Sequence, residues 1–586
     1  MQNVALNFKY WANKNPNKIA VIHPGAVLAH GNLKQITYGE LDYKSDRLKC
    51  ILKRDFSIAK GAKVLLFLRP SINFTIVMFA LFKMGAVPIL IDPGMGRKNF
   101  LKAIKEVSPE LLISEPKGHI VRLFFKDAFQ GIKHFITTKS AVLPSLIARY
   151  WGQAHCLEDM LRLDKDTAIN NDNNNNDNDS IIENMADDDL GAILFTSGGT
   201  GPAKGVNYTH KIFNTQIKML REIYGLNEND IDLPGFPFFA LFTLNMGLTI
   251  CFPQMDATKP AKANPKKIIK NILDYKVTFA AGSPSIWERV ADYATKNKIT
   301  LPTIKYLLMF GAPVKVSIHE KYLKILTHKM ANTFTPYGAT ESLPLTNVTG
   351  GEVLNFKGQG MFLGKAVKDI KIKIIEIRDV AIPDFKEVKI LGHGEIGEIV
   401  VSGPIVTESY YNKEDKTRLA KIVEIIEGKE KEKEKEKEKE KEKEKEKIIW
   451  HRMGDVGYLD KDGNLWFCGR KDHIVWSEGK ANYSIPCEAI FNRHHQIKRS
   501  AIIKYRCKSS GKIIPAIAIE RHDKKTHMFK KNKMHFEGEL KNLAAQFEIT
   551  KGISTFFYFK NFPVDIRHNI KIDRQKLAEL VERRGD

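Results

Sequence analysis

Residues 193–205 read I-L-F-T-S-G-G-T-G-P-A-K-G, an apolar run that passes into hydroxyls, glycines and one lysine. A short apolar run bounded by turn residues reads as a buried strand, so the chain must carry a glycine turn at the end of a core strand. Glycine lets a backbone approach a ligand that any Cβ would exclude. The exposed amides of such a turn, the hydroxyls of Thr196, Ser197 and Thr200, and the charge of Lys204 suit a polyphosphate. Gly198, Gly199 and Gly201 supply the bends. This is not a P-loop of the form G-x-x-x-x-G-K-[ST], because Lys204 precedes Gly205 and Val206 follows. A Gly/Ser-rich surface turn would have the same composition, so the reading needs partners elsewhere in the chain.

At 586 residues the chain is too long for one core and implies two or three domains. Its 43% hydrophobic share is that of a folded globular protein. Cys50, Cys156, Cys251, Cys468, Cys487 and Cys507 are scattered, without a C-x-x-C pair. That argues against a zinc site or a disulfide framework and for a reducing, cytoplasmic compartment. The first residues lack a basic region followed by a continuous apolar stretch, so no signal peptide is expected. The longest apolar stretch, residues 72–91, is interrupted by Lys83, Gly85 and Pro88 and reads as a buried helix running into a strand, not a transmembrane segment. A net charge of +24 is compatible with nucleic acid, an anionic membrane surface or a simple lysine bias. No aromatic-interleaved basic stripe accompanies it, so no nucleic-acid partner is expected. What remains is a weak peripheral attraction to anionic lipid.

Two low-complexity segments interrupt the pattern. Residues 170–179 are nearly all Asn and Asp and read as a polar, disordered loop. Residues 429–447 alternate Lys and Glu, which puts like charges at i,i+4 and opposite charges at i,i+3; this reads as a solvated insertion, helical or disordered. A partner-binding tail is the alternative, disfavoured because both signs cancel locally. Elsewhere strand and helix patterns alternate: strands at residues 63–68 and 87–91 with a helix through 74–84 between them, and further strands at 277–280 and 306–310. Such alternation predicts α/β layers with parallel sheets. Residues 395–401 and 457–468 look antiparallel, with Asp462-Gly463 as a hairpin turn. The expected architecture is a large N-terminal α/β domain over residues 1–470, rich in parallel strands and carrying a small β-barrel-like subdomain. A small, mobile α+β domain over residues 471–586 follows, with the boundary near Asp472.

Four motifs follow the glycine turn. Thr335-Pro336-Tyr337-Gly338-Ala339-Thr340-Glu341 offers a ring for stacking, a hydroxyl and a carboxylate able to hold Mg²⁺. Trp450-His451-Arg452-Met453-Gly454-Asp455 ends in a carboxylate suited to the two hydroxyls of a ribose. Gly469-Arg470-Lys471-Asp472 supplies a guanidinium. Residues 563–571 end in Lys571. Singly, each is as readily a core tyrosine, a capping aspartate or a surface lysine.

Together and in this order, with residues 35–42 and 83–88, these motifs resemble the adenylate-forming superfamily of acyl-CoA synthetases, peptide-synthetase adenylation domains and luciferases. The resemblance spans essentially the whole chain apart from the two insertions. It implies that Thr196, Ser197, Gly198, Gly199, Thr200, Gly201 and Lys204 close over the β- and γ-phosphates of ATP. Gly311, Ala312, Pro313, Tyr337 and Gly338 would enclose adenine, with Thr340 near the α-phosphate and Glu341 and Thr200 at the Mg²⁺. Asp455 and Arg470 would hold the ribose, Asp472 would be the hinge, and Lys571 would offset charge as a carboxylate attacks the α-phosphorus. Two departures stand out. Gly199 replaces the usual Ser or Thr, which predicts activity with weaker nucleotide affinity, and Met453 stands where most acyl-CoA synthetases have Thr.

Residues 91–96, 236–242, 451–455, 466–471 and 563–569 are more specific and resemble the olefin-pathway β-lactone synthetases. The resemblance implies activation of a long-chain 2-alkyl-3-hydroxy acid as acyl-AMP, then attack by its own 3-hydroxyl to close a β-lactone. Attack within one molecule gains a large effective concentration, on the order of 10⁵–10⁸ M, part of it consumed by ring strain. A thiolase-like enzyme and a reductase would supply the acid, and a decarboxylase would take the product. The alternative is a long-chain fatty acid–CoA ligase using CoA as the second substrate. Many CoA ligases carry S-G-[FHY]-x-[IV] after the hinge; residues 475–483 are longer and lack it, which favours the lactone. Phe238, Phe239, Phe242, Met246 and Ser283 are candidates for the acyl pocket by position, and ordinary core is the competing reading. His568 is a candidate base for the hydroxyl, more simply structural. A non-catalytic descendant is the third alternative, supported only by Gly199 and the insertions.

Overall fold

The computed structural model describes residues 2–25, 34–139, 146–147, 149, 153–163, 181–196, 203–356, 358–427, 445–508, 510–522, 526–564 and 572–584. The Asn/Asp-rich residues 170–179 lie outside this set. The described residues divide into two compact units, one of residues 1–344 with 404–417, the other of residues 345–403 with 418–586. The boundary expected near Asp472 falls inside the second unit.

The first unit is built on two sheets. In one, seven strands run in the order His155–Cys156, His134–Thr137, Leu111–Ser114, Lys63–Phe67, Val87–Ile91, Leu190–Thr196, Lys204–Thr209. All neighbours are parallel except the last pair. Leu65, Ile89, Leu112 and Ile193 bring their side chains to one core on a face of that sheet. Near-continuous apolar strands are what a sheet covered on both faces requires. The apolar stretch at 72–91 resolves into a helix, Ile72–Lys83, and the strand Val87–Ile91. Ser71 caps the helix by accepting from the Phe74 amide. Among the described residues, no helix is long and apolar enough to cross a membrane.

The other sheet has eight strands. Ile231–Pro234, Phe279–Gly282, Tyr306–Met309 and Asn332–Ala339 lie side by side and parallel within it. Trp287 and Val290 of the helix Pro284–Lys296 pack on Ala280 and Leu307, so helix and strands share one core. Because these strands are parallel, their carboxyl ends share one edge, the side on which open α/β sheets collect ligand-binding loops.

The second unit carries an antiparallel sheet of six strands: Met361–Gly364, Leu465–Arg470, Lys445–Leu459, Gly397–Ser402 and Lys371–Ile375 in order, with Lys421–Glu427 also paired to Lys445–Leu459. The turn after Leu459 has Gly463 at φ +80°, and Asp460 Oδ1 accepts from the amides of Asp462 and Asn464. The last three residues of the Lys-Glu run, Lys445 to Lys447, belong to the strand; residues 428–444 lie outside the described set. Nearer the C-terminus, Ile497–Arg506, Ile513–Arg521 and Phe556–Phe559 form a three-stranded sheet. Ile502 faces one core with Phe491 and Leu540, while Ala501 and Ile503 face another with Phe562 and Leu577. This is strand alternation with both faces buried.

Candidate active site

The strands Leu190–Thr196 and Lys204–Thr209 are antiparallel partners, with Thr196 opposite Lys204 and Phe195 opposite Gly205. Residues 197–202 connect them and lie outside the described set, as does the Thr196 side chain; Ser197, Gly198, Gly199, Thr200 and Gly201 are therefore not placed. Gly205 is glycine for packing: a Cβ there would stand 2.9 Å from both Ile193 Cγ2 and Phe195 Cζ. Lys204 Nζ lies 4.8 Å from the centroid of the Tyr410 ring.

Tyr337, Gly338 and Ala339 end the strand Asn332–Ala339, and Thr340 and Glu341 form its tight turn into Ser342–Thr349. A Cβ on Gly338 would come 2.5 Å from the Ser342 carbonyl, so only glycine allows this turn to close. The turn is held from both sides. Thr407 N–H donates to the Glu341 carbonyl at 2.9 Å, and the Tyr410 hydroxyl donates to Glu341 Oε1 at 2.8 Å. Opposite, the buried Gln216 amide donates to the Leu343 carbonyl at 2.8 Å and to the Tyr208 hydroxyl at 3.2 Å. Burial pushes the Tyr208 phenol up, and the nearby Glu341 carboxylate adds to it.

Further back on the strand Asn332–Ala339, Thr333 and Thr335 both bond the fully enclosed His319 of a neighbouring helix: Thr333 Oγ1 with Nδ1 at 2.8 Å and Thr335 Oγ1 with Nε2 at 3.2 Å. Burial brings the His319 pKa down to about 4, so the ring is neutral and one nitrogen accepts while the other donates. These bonds fix the strand two residues ahead of Tyr337 against the helix Val316–Ile325. Gly311, Ala312 and Pro313 follow the adjacent strand Tyr306–Met309, with Gly311 at φ +87°.

The Phe-rich run sits on the same sheet edge. Gly235 N–H donates to the Ala281 carbonyl, and a Cβ on Gly235 would be 2.7 Å from that oxygen. Phe238 and Phe239 are half-buried, and the rings of Phe236 and Phe239 each lie 4.9 Å from Phe310. Phe242 and Met246 are buried. Phe242 packs 5.5 Å from Phe239 and 5.6 Å from Phe213. Ser283 is buried and caps the helix Pro284–Lys296 by accepting from Ser285 N–H. Sequence reading overlooked Asp232, which is fully buried on the strand Ile231–Pro234. Thr243 Oγ1 donates to its Oδ2 at 2.7 Å, and desolvation pushes its carboxyl up to about 7.

In the second unit Asp455 and Arg470 face each other across adjacent strands and join at 2.7 Å, Asp455 Oδ1 to Arg470 Nη1. Arg470 Nη1 also donates to the Met453 carbonyl at 3.2 Å. The neighbouring Arg452 grips Glu398, both buried, at 3.2 Å (Nε to Oε1) and 2.6 Å (Nη2 to Oε2), which pins the strand that carries Asp455. Asp472 lies in the single turn Lys471–His473. Lys571 and His568 are outside the described residues; Ile572, next to Lys571, is bridged to Val564, and Arg574 opens the helix Arg574–Arg584.

The structure thus gathers Lys204 and Glu341 around Tyr410, and Asp455 against Arg470. Tyr410, Thr407, Gln216, His319 and Asp232 carried no local motif that would have marked them. The donors suit a magnesium–nucleotide complex: a fixed carboxylate at Glu341 is a hard oxygen ligand for Mg²⁺, and Lys204 is a compact charge for phosphate. Gly235 and Gly338 keep the strand ends clear of any Cβ.

The profile of AMP-binding enzymes matches residues 8–411. An olefin beta-lactone synthetase of Xanthomonas campestris pv. campestris is 35% identical, over 98% of this chain and 97% of its own length. Another protein of that name, from Stenotrophomonas maltophilia, is 33% identical over 98% and 97%. The fold is that of O-succinylbenzoate coenzyme A synthetase from Bacillus subtilis, solved in complex with ATP and a magnesium ion, at a TM-score of 0.69, covering 97% of this chain and 98% of that one at 18% identity. With a profile that spans most of the chain and relatives of matching length, the chain belongs to the AMP-binding enzyme family and is an ATP-dependent, adenylate-forming ligase.

Proposed function

We propose that the enzyme joins a long-chain 2-alkyl-3-hydroxy acid to AMP and closes the acyl adenylate to a β-lactone, releasing AMP after pyrophosphate. The observation that carries this reading is the likeness, over nearly all of both chains, to two proteins named olefin beta-lactone synthetase. The half-buried wall of Phe236, Phe238 and Phe239, backed by Phe310, supports an apolar acid, because such a surface gains by covering alkyl chain. Phe242, Met246 and Ser283 would line the acyl pocket with that wall.

The chain's own residues divide the work. Thr196, Ser197, Gly198, Gly199, Thr200, Gly201 and Lys204 would embrace the outer phosphates. Tyr337 with Gly311, Ala312, Pro313 and Gly338 would cover adenine, and Thr340 would meet the α-phosphate. Glu341 and Thr200 would hold Mg²⁺, which when bound neutralises phosphate charge. Asp455 and Arg470 would hold ribose. Lys571 would lower the repulsion between carboxylate and α-phosphate, carried by residues 471–586 turning about Asp472. The 3-hydroxyl then attacks the activated carbonyl, its proton leaves, and AMP departs with the electron pair of the anhydride bond.

Incubation with MgATP and a racemic 2-alkyl-3-hydroxy acid, with and without CoA, tests the reading. A β-lactone and AMP formed without CoA, identified by mass spectrometry and NMR, is the expected result. A thioester appearing only with CoA would replace it by fatty acid–CoA ligation.

A further inference from the structure

We propose that Tyr410 is a positioning residue that keeps the phosphate-binding lysine and the metal-binding carboxylate apart and aimed at their separate ligands. Tyr410 is 69 residues from Glu341 in sequence, yet its hydroxyl donates to Glu341 Oε1 at 2.8 Å. The face of the same ring receives Lys204 Nζ at 4.8 Å. Tyr410 as a residue is 5% exposed, so both contacts are made with little competition from water.

The backbone explains why this side chain is there. Residues 409–411 run antiparallel to the strand Lys204–Thr209: Val206 is bridged to Tyr410, Tyr411 N–H donates to the Gly205 carbonyl at 2.8 Å, and Asn207 N–H donates to the Ser409 carbonyl at 3.3 Å. Successive side chains of an extended segment alternate in direction. Tyr411 accordingly turns the other way and accepts from Lys63 Nζ at 3.0 Å. Tyr410 N–H donates to Thr417 Oγ1, which ties down the far side of the segment.

A cation and a carboxylate in one partly buried site attract each other strongly. A direct pair between Lys204 and Glu341 would take the lysine from phosphate and the carboxylate from magnesium. A phenol offers each charge a different surface: the negative ring face to the ammonium, and the O–H dipole to the carboxylate. Either bond holds its partner more weakly than an ion pair would, so the carboxylate and the ammonium keep their positions and stay open to magnesium and phosphate.

The inference rests on the assignment of Glu341 to magnesium, and calorimetric titration of ATP at stepped Mg²⁺ concentrations, without acid substrate, tests the two separately. Tyr410→Phe keeps the ring and removes only the hydroxyl. It should raise the Mg²⁺ concentration needed for half-maximal ATP affinity by about three- to tenfold, the scale of the net contribution of one hydrogen bond, while affinity at saturating Mg²⁺ stays near wild type. Tyr410→Leu should also weaken ATP binding at saturating Mg²⁺, because Lys204 loses its support. Thermal melting of Tyr410→Phe reports on folding, and that variant suffices if Tyr410→Leu does not fold. A shifted Mg²⁺ requirement in Glu341→Gln but not in Tyr410→Phe overturns the role of Tyr410 alone. No shift in Glu341→Gln overturns the magnesium assignment and the inference with it.

Discussion

Lys83 Nζ lies 2.7 Å from Asp42 Oδ1, with the lysine side chain wholly out of solvent. Asp46 Oδ2 is 3.0 Å from the same nitrogen, and Lys9 approaches Asp42 from the other side at 2.7 Å. Burial lowers the Lys83 pKa, and Asp46 and Asp42 work against that. The charge that interrupts the longest apolar stretch of the sequence is thus the bond between the helix Ile72–Lys83 and the helix Tyr38–Phe56.

Lys83→Met keeps the side-chain volume and removes the cation. It should cost about 3 kcal/mol, the low end for breaking a buried pair, because Asp42 and Asp46 lose their most buried partner but keep Lys9 and Lys49 nearby. Chemical denaturation followed by circular dichroism measures the loss; an unchanged midpoint would show the pair to be expendable.

Stability of the first unit should fall as pH drops from about 6.5 toward about 4. His119, His210 and His319 are each brought down by burial from an ordinary 6.5 to about 4. A depressed pKa means the unfolded chain takes up the proton first, so the stability these groups give is full above 6.5 and is lost on acidification. Asp232, raised from 3.8 to about 7, has the opposite sign over the same window. Three against one among these four groups leaves about two net protons, on the order of 3 kcal/mol per pH unit, and His23, also lowered by burial, acts in the same direction. Melting temperatures of wild type and Asp232→Asn across this range check it, and the variant should show the steeper acid loss.

Arg574 grips Glu488 with both outer nitrogens, Nη2 to Oε2 at 3.0 Å, and donates from Nε to His473 Nδ1 at 3.2 Å. Burial raises the Glu488 pKa even so. Arg574→Met should therefore lose about 3–5 kcal/mol, and the double change Glu488→Leu with Arg574→Met should recover much of it, since a buried pair is often no better than an apolar replacement. A double-mutant cycle in melting experiments decides between pairing and simple packing.

Lys571→Ala should lose adenylation by roughly 10²–10³-fold, the scale seen when one group that stabilises transition-state charge is removed. ATP binding should persist. Exchange of labelled pyrophosphate into ATP measures the first and calorimetry the second; full exchange in the variant would refute the assigned role.

Elements whose reasons are local were legible in the sequence. The strand Val87–Ile91 was readable residue for residue because it is uniformly apolar, and the Asp462-Gly463 turn because only glycine takes φ +80° without strain. The expected strand at Val277 begins at Phe279 instead. Val277 N–H is used to close the preceding helix on the Ile272 carbonyl, and Lys276 is left-handed at φ +51°. Apolar character alone cannot distinguish a helix end from a strand start. Among the candidate residues, Lys204, Tyr337 and Glu341 of the first unit and Asp455 and Arg470 of the second stood in motifs. Tyr410 and Gln216 did not, since each earns its place by meeting a turn far away along the chain.

The ladder between Lys421–Glu427 and Lys445–Leu459 ends with Glu427 opposite Lys445, so the chain leaves and rejoins the sheet at neighbouring positions. Seven cross-strand pairs, from Lys421–His451 to Glu427–Lys445, hold the strand that bears Asp455 in register up to that point. A foreign peptide whose ends adjoin should therefore be accepted between Glu427 and Lys445, because its ends match the spacing of a cross-strand pair.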